Sequence, residues 1–206
     1  MNPVKKVPLP QRGPEAHERR EQIINTAKEH FRHYGYSKTS VGDIAKLIGV
    51  SNAYIYKFFS SKQDIAEAVC AETLGKIDDE LIAISKLKSS ATNRLRLTFK
   101  ALMEKSLELF FEERKLHEIA ALSSANNWCA NTNHQAVLFS VIEQIILDGR
   151  EEGVFDRKAP LDEVCRGIVD AMIPISNPLL LEQKEPEMLE ESLVALTNMV
   201  LRSLAV

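Results

Sequence analysis

Residues 39–59 have the sequence TSVGDIAKLIGVSNAYIYKFF, and this stretch decides the fold of the first third of the chain. Ser40 precedes a periodic apolar segment and Asp43 follows three positions later, a pattern typical of a helix N-terminus with reciprocal capping. Gly49 predicts the end of that helix, because glycine adopts the left-handed conformation that follows many helices. Ser51 predicts the cap of another helix directly afterwards. The stretch therefore predicts two short helices joined by a glycine turn.

Apolar residues recur at helical spacing on both sides of this stretch, and no segment shows the alternating pattern of a strand. The fold class is predicted to be all-α, with about nine helices that form a helix-turn-helix followed by a larger helical domain. Pro174 should kink or interrupt the eighth helix, because proline lacks a backbone N–H group. The predicted helices span approximately 15–34, 41–48, 52–58, 62–85, 93–111, 114–126, 133–152, 161–181 and 186–204.

Composition and charge narrow the class of protein. The chain has 206 residues, of which 45% are apolar, enough for a folded core, and 27% are charged. Residues 1–62 contain 11 Lys and Arg against 5 Asp and Glu, a net charge of +6, whereas the remainder contains 15 against 24, a net charge of −9. This asymmetry indicates that the first third contacts a polyanion, and nucleic acid is the first candidate.

The N-terminal segment and the cysteines indicate a cytoplasmic protein. Residues 1–14 contain four prolines and several basic residues but no apolar segment before a cleavage site, which predicts a flexible basic arm and no secretion signal. Cys70, Cys129 and Cys165 are odd in number and far apart, which disfavours a disulfide framework. No long apolar stretch predicts a membrane span.

The segment from Val41 to Phe58 also has the residue sizes that a helix-turn-helix requires. Ala45 is small where two helices must approach, Gly49 lies at the turn, and apolar residues fill the remaining inward positions. The polar residues after Ser51 would project toward the major groove of DNA. A helix–helix corner without nucleic acid fits the two short helices as well, but the basic charge of this third of the chain favours DNA.

Residues 39–45, 49–51, 55–59 and 61–62 resemble, in order and spacing, the DNA-binding signature of the TetR family of transcriptional regulators. The resemblance covers about residues 15–68 in motif detail, and only helix number and length agree beyond them. It implies a DNA-binding domain at 15–62 and a ligand-binding and dimerisation domain at 63–206. It also implies a homodimer through the last two helices, about 161–204, that leaves a palindromic double-stranded DNA operator when a small-molecule effector binds. No cofactor and no metal are expected.

The resemblance also implies individual DNA contacts. Thr39 and Ser40 match phosphate contacts, Tyr56 matches a tyrosine whose hydroxyl reaches the backbone, and Lys62 matches a lysine at the start of the fourth helix. Phe58 departs from the family pattern, in which histidine or tyrosine is common, so a polar contact is missing there. The full predicted set is Thr39, Ser40, Ser51, Asn52, Ala53, Tyr54, Tyr56, Lys57 and Lys62.

The effector site and the dimer interface are predicted more weakly. Bulky residues and a few polar ones on the middle helices are candidates for a cavity wall, although packing in the core explains each of them too. A stripe in the last helix is a candidate for dimer contacts, and core packing explains it equally well. The candidate ligand residues are Phe99, Met103, Phe110, His117, Asn126, Trp128, His134 and Phe139, and the stripe is Leu193, Leu196, Val200 and Leu204.

Other functions have less support from the sequence. His117, Cys129 and His134 lack the short spacing by which one helix presents two metal ligands, and Cys129 has no nearby partner cysteine for a redox switch. An all-α enzyme is the competing class, but no nucleophile triad, phosphate loop or metal motif supports it. A small-molecule-binding protein without specific DNA binding is the remaining alternative.

Overall fold

The structure, a computed structural model, describes residues 14–183 and 185–206. The predicted basic arm therefore lies outside the described residues, except for Pro14, at which the first helix begins. The described residues form ten α-helices and no strand. In chain order these are α1 (Pro14–Tyr34), α2 (Val41–Ile48), α3 (Asn52–Ile55), α4 (Lys62–Ser85), α5 (Ala91–Glu112), α6 (Arg114–Ala125), α7 (Cys129–Glu151), α8 (Leu161–Ser176), α9 (Pro178–Leu181) and α10 (Pro186–Leu204).

The all-α prediction is confirmed, but the third helix is shorter than predicted. It ends at Ile55, after which the N–H of Phe58 donates to the carbonyl of Ile55 at 2.9 Å in a tighter turn. This turn brings Phe59 into the core, where its ring centroid lies 4.9 Å from the guanidinium of Arg20. The length of α3 is thus set by where Phe59 packs, which the local sequence does not specify.

The segment predicted as one helix at 161–181 is divided into two. α8 continues past Pro174 and ends at Ser176, and Asn177 is extended, with φ −71° and ψ 122°. Pro178 explains the division, because a proline disfavours the helical conformation in the residue before it. The Asn177 side chain then caps α9 by accepting a hydrogen bond from the N–H of Leu179 at 2.9 Å.

The molecule has two parts, an N-terminal head (Pro14–Ser61) and a helical body (Lys62–Val206). α1 packs against α2, α4 and α6, and α4 packs along much of α7. The buried apolar side chains form one continuous cluster, from Ile23 and Phe31 in the head to Val200 in the body. The head is therefore attached to the body through shared core, and α4 is the helix that links them.

The loop after α7 contacts the C-terminal end of α10. The ring of Phe155 packs directly over Gly149, and the N–H of Asp156 donates to the carbonyl of Leu204 at 2.8 Å. The loop after α7 is thereby tied to the end of α10. None of the helices in the described part of the chain is both long and apolar enough to cross a membrane.

The apolar stripe predicted for dimer contacts lies mostly against the chain's own core. Val200 and Leu204 are buried, and Leu193 and Leu196 are partly buried against the core cluster. The core-packing alternative therefore holds for Val200 and Leu204, whereas Leu193 and Leu196 keep part of their surface exposed. Other apolar side chains of the last helices are exposed instead, namely Ile173, Met188, Val194 and Met199.

Candidate nucleic-acid interface and internal cavity

Caps at both ends hold α2 in place. Ser40 Oγ accepts from the N–H of Asp43 at 3.2 Å, and Asp43 Oδ2 accepts from the N–H of Ser40 at 2.8 Å, so the predicted capping box is present. The hydrogen bonds from Ser40 lower the pKa of Asp43. Gly49 closes the helix with φ +79°, the left-handed conformation expected of a glycine cap. The turn into α3 is thereby fixed by local interactions.

The α3 segment (Ser51–Phe58) presents its polar side chains to solvent. Ser51 Oγ accepts from the N–H of Tyr54 at 3.3 Å and caps the helix, and Ile55 anchors the opposite face in the core. Tyr54 packs against Phe58 with ring centroids 5.3 Å apart, and Lys57 Nζ lies 5.8 Å from the Tyr54 ring. The exposed residues of the segment that were predicted to contact DNA are Ser51, Asn52, Ala53, Tyr56 and Lys57. Ser40, before α2, is exposed as well.

Thr39 has protein partners instead of an exposed hydroxyl. Its side chain is only 2% exposed, and its Oγ1 donates to the carbonyl of Gly35 at 2.8 Å and lies 2.9 Å from Nδ1 of His30. A contact between this hydroxyl and a phosphate would require it to leave both partners. The sequence could not indicate this, because burial of Thr39 depends on how α1 packs beside the loop.

Lys62 also has protein partners. Its ammonium donates to the carbonyls of Tyr36 and Thr39 at 3.0 Å each, and it lies 4.2 Å from the centroid of the Tyr36 ring. An ammonium has three donors, so this set uses most of its capacity. Lys62 therefore fastens the loop between α1 and α2 to the start of α4, which differs from the exposed position of Lys57.

The start of α4 is capped from the preceding turn. Ser61 Oγ accepts from the N–H of Asp64 at 3.0 Å, and the hydroxyl of Ser60 also donates to the Asp64 carboxylate. Burial by itself would raise the pKa of Asp64, but the hydrogen bonds from Ser60 and Ser61 outweigh it, and the pKa is lowered.

The body contains an internal cavity of about 50 Å³ between α4, α5, α6, α7, α8 and α9. Liquid water occupies about 30 Å³ per molecule, and small-molecule sites usually measure about 300–1,000 Å³, so the cavity has room for only one or two water molecules. A drug-sized ligand would have to displace part of its wall. The lining residues are Leu74, Ile77, Ser106, Leu109, His117, Ala120, Ser124, Asn131, His134, Gln135, Leu138, Val169, Ile173, Ser176, Asn177, Pro178 and Leu181.

Two of the predicted ligand residues, His117 and His134, line this cavity. His134 Nδ1 lies 2.5 Å from Oδ1 of Asp78, whereas neither ring nitrogen of His117 has a hydrogen-bond partner. The other six predicted residues do not line the cavity, because they pack in the core around it or face solvent. They are Phe99, Met103, Phe110, Asn126, Trp128 and Phe139.

Several cavity residues were missed from the sequence. Ser106, Asn131 and Gln135 are polar residues within helices, and Asn177 lies between α8 and α9, but polar residues are common at such positions. Asp78 does not line the cavity but pairs with His134, and its signal is clearer, since it follows the buried residues Leu74 and Ile77 of α4. Only the packing shows which of these polar groups face inward.

The candidate metal ligands are not brought together. Within residues 14–183 and 185–206, no three His, Cys, Asp or Glu side chains are close enough to hold a metal ion. Cys129 is exposed at the start of α7, where its N–H donates to Glu67 at 3.3 Å. Burial raises the pKa of Cys70 to about 11, so its thiol stays protonated at neutral pH.

Family models match most of the described chain. Residues 23–69 match the model described as bacterial regulatory proteins, tetR family, and residues 91–197 match the model described as tetracyclin repressor-like, C-terminal domain. The second match by itself covers more than half of the chain. The chain belongs to the TetR family. The prediction made from residues 39–62 is thereby confirmed.

A curated relative and two solved structures agree with this assignment. The Fatty acid metabolism regulator protein of Bacillus subtilis is 34% identical over 76 residues, which cover 37% of this chain and 39% of the relative. The chain thus spans about two fifths of that relative's length. A TetR-family transcriptional regulator from Pectobacterium atrosepticum has a TM-score of 0.76 at 22% identity, over 95% of this chain and 98% of that one. The regulator FadR from Bacillus subtilis, solved with stearoyl-CoA, has a TM-score of 0.59 at 23% identity, over 88% and 95%.

In this TetR-family protein, direct contacts connect the cavity walls with the head. The ring of Trp128, between α6 and α7, lies 6.3 Å from that of Tyr36, whose carbonyl binds Lys62. Ion pairs also cross the boundary: Lys28 Nζ lies 2.5 Å from Oε1 of Glu72, and Arg32 Nε lies 2.7 Å from Oε2 of Glu113. A displacement of α6 or α7 would therefore reach the loop that precedes α2.

Proposed function

We propose that this protein is a ligand-responsive repressor of transcription, which binds a palindromic DNA operator as a homodimer and is released by a small-molecule effector. The functional boundary lies near Lys62, with DNA binding in residues 15–62 and effector binding and dimerisation in residues 63–206. The site of action would be the cytoplasm, where a bacterial operator is located. The alternative of a small-molecule-binding protein without specific DNA binding is separated from this proposal by the experiment below.

The observation that carries the proposal is the exposed face of the α3 segment. Asn52, Ala53 and Tyr56 face solvent from a segment whose inner face is fixed by Ile55 and whose start is fixed by Ser51. A rigid helix start with exposed amide, methyl and hydroxyl groups suits the major groove, where Asn pairs with adenine and small apolar groups contact a thymine methyl. Lys57 would supply a phosphate contact.

The effector response is proposed to begin at the internal cavity. An effector that enlarges the cavity would displace α6 or α7, and the contacts of Trp128 with Tyr36 and of Arg32 with Glu113 would transmit this displacement to the head. Because the coupling between two sites is reciprocal, DNA would weaken effector binding by the same factor.

The homodimer is proposed to form through α8 and α10. Met188, Val194 and Met199 of α10 are each more than half exposed, and Ile173 of α8 is also exposed. Exposed apolar side chains on two long helices favour a four-helix contact with a second copy. They add to the predicted stripe, in which Val200 and Leu204 are buried in the chain's own core.

The test is selection of genomic DNA fragments by the purified protein, followed by binding of the enriched fragment over a range of salt concentrations. We expect one palindrome, with half-sites about 34 Å apart, two chains per fragment by light scattering, and a steep loss of affinity with salt. Deletion of the chain in its host should raise transcription next to that fragment.

Asn52→Ala supplies the matched variant. It should cost about 1–3 kcal/mol of discrimination at one base pair of each half-site while affinity for unrelated DNA stays the same. Lys100→Ala, an exposed lysine of α5 outside the head, is the control and should change neither quantity. Weak, sequence-blind retention by the wild type, before and after refolding to remove a bound ligand, would contradict the proposal and favour the ligand-binding alternative.

A further inference from the structure

His117 is a buried polar group of the cavity wall, and neither of its ring nitrogens has a hydrogen bond of normal geometry. Its side chain is 1% exposed. Glu182 Oε1 is 3.4 Å from Nε2, which is long for a hydrogen bond, and the Phe110 ring packs against the imidazole at 4.9 Å between centroids. A buried polar group without a partner is costly, and the cavity is the space from which a partner can come.

The imidazole is neutral near pH 7. Burial lowers the pKa of His117, and this effect outweighs the opposing influence of Glu182 and of the Pro178 backbone. A neutral imidazole has one N–H donor and one nitrogen acceptor. It can therefore donate to a carbonyl oxygen, or both donate to and accept from hydroxyl groups.

The charged groups around the cavity disfavour a charged ligand. No lysine or arginine is among the described residues that line it, so a carboxylate or phosphate would find no cation there. The nearby carboxylates already face partners: Asp78 lies against His134, and Glu182 lies 3.9 Å from Arg114. An ammonium would have to compete for them, and burying an unpaired charge is far more costly than burying a hydroxyl.

We infer that the cavity takes an uncharged amphipathic molecule, with an apolar body and one hydroxyl or carbonyl group that hydrogen bonds to His117. This inference rests on the proposed function, because it names the chemical class of the effector. The apolar body would contact Leu74, Leu109 and Leu138, which line the same space.

α9 is the part of the wall that we expect to move first when such a molecule enters, and α6, against which it packs, would follow. This helix has only four residues, and it contributes Pro178 and Leu181 to the lining while Asn177 joins it to α8. A one-turn helix between two breaks has fewer contacts to lose than the long helices around it, so its displacement has the lowest cost.

The test uses probes of equal chain length that differ in charge: 1-decanol, decanoate and decylamine, with stearoyl-CoA as a large anionic probe. Trp128, the only tryptophan of the chain, is buried between α6 and α7, two helices of the cavity wall, and its fluorescence is the binding signal. At pH 7.5 we expect 1-decanol to bind at least about tenfold more tightly than each charged probe, since burial of a charge is disfavoured. Tighter binding of decanoate, decylamine or stearoyl-CoA, or no binding of any probe, would overturn the inference.

Substitutions at His117 test the assigned hydrogen bond. His117→Leu should weaken 1-decanol binding about three- to tenfold, the range expected for one hydrogen bond, while His117→Gln, which keeps a donor and an acceptor, should restore part of it. His33→Leu replaces an exposed histidine of α1 and should have no effect. Equal affinity in wild type, His117→Leu and His117→Gln, with all three folded by circular dichroism, would remove His117 from the site.

This outcome is independent of the DNA experiment, which uses no probe. Selective 1-decanol binding without operator selection would leave the ligand class standing and reject the regulatory function. Operator selection together with tighter binding of a charged probe would support the regulatory function and reject the ligand class.

Discussion

The head and the body use polar residues in opposite ways. In the head, Asn52 and Lys57 face solvent, and neighbours within a few positions hold their segment through the Ser51 cap and the Gly49 turn. In the body, the two histidines that line the cavity are buried, and their partners are distant in the sequence. His134, for example, pairs with Asp78. A DNA contact can thus be encoded in consecutive residues, whereas a ligand contact depends on the packing of six helices.

The two regions nevertheless share one core. The buried cluster runs through both, and the contacts at Tyr36, Lys28 and Arg32 join them. The comparison therefore predicts that damage to the body lowers the stability of the whole chain, while single changes on the surface of the head alter DNA binding alone.

Gly149→Ala should have the largest effect on stability. A Cβ at this position would overlap the buried ring of Phe155, which would have to move. Overpacking of this kind costs about 1–3 kcal/mol, measured as the free energy of unfolding in urea. Because Gly149 is about 30 Å along α7 from Cys129, at 1.5 Å per residue, the folded fraction should keep its operator affinity.

Gly75→Ala is the matched control for that substitution. Gly75 also lies within a long helix of the body, but a Cβ there would meet nothing within 4 Å apart from the adjacent backbone of its own helix. It should stabilise the chain by up to about 1 kcal/mol, because alanine favours the helix more than glycine does. Equal effects of the two substitutions would show that the Phe155 contact has no role in stability.

Lys62→Ala should change the stability of the chain, whereas Lys57→Ala should change its DNA binding. Loss of the Lys62 ammonium removes hydrogen bonds to the Tyr36 and Thr39 carbonyls, and should lower the free energy of unfolding by about 1–2 kcal/mol while leaving the salt dependence of DNA binding unchanged. Lys57→Ala should leave stability unchanged and reduce the slope of log affinity against log salt by about one. The reverse pattern would make Lys62 the phosphate contact, as the family resemblance implied.

The dependence of stability on pH should show a smaller effect than these substitutions, and it begins with His117. Burial lowers the pKa of His117 in the folded chain below its ordinary value of 6.5, while Glu182 opposes this shift and Arg114 adds to it. As the pH falls below 6.5, the unfolded chain takes up this proton first, so stability present above pH 6.5 is lost on acidification. His117→Gln should reduce that loss between pH 6.5 and 5, where one proton gives a slope of at most about 1.4 kcal/mol per pH unit.

The caps of α2 and α4 should titrate in a lower range. Asp43 and Asp64 have lowered pKa values, so their contribution is complete above their ordinary value of 3.8 and is lost as the pH falls below it. Wild type and His117→Gln should therefore lose stability in parallel below about pH 4. Unfolding in urea over this pH series measures both ranges, and identical curves for the two proteins throughout would contradict the assignment to His117.

Much of the head could be predicted from the sequence because its determinants are local. The Ser40 and Asp43 capping box, the Gly49 turn and the Ser51 cap each depend on residues within four positions, and all are present. The prediction was less accurate where a distant partner intervenes. Thr39 has the hydroxyl of a phosphate contact, but α1 and the following loop bury it.

The body shows the opposite balance. Periodicity predicted its helices, yet it did not show which of their bulky residues line the cavity. Phe99 and Met103 fill the core instead. The stripe at Leu193 and Leu196 met the same difficulty, since an apolar face indicates burial but not which surface buries it.

The sequence by itself determined the helical class, the position of the helix-turn-helix, the capping residues and the family, because hydrophobic period, turn residues and caps act over a few positions. The tertiary structure alone decided the division at Asn177, the partners of Lys62 and the isolation of His117 in a small cavity. Those features follow from the rotation and spacing of helices against one another, which are set by contacts between residues far apart in the chain.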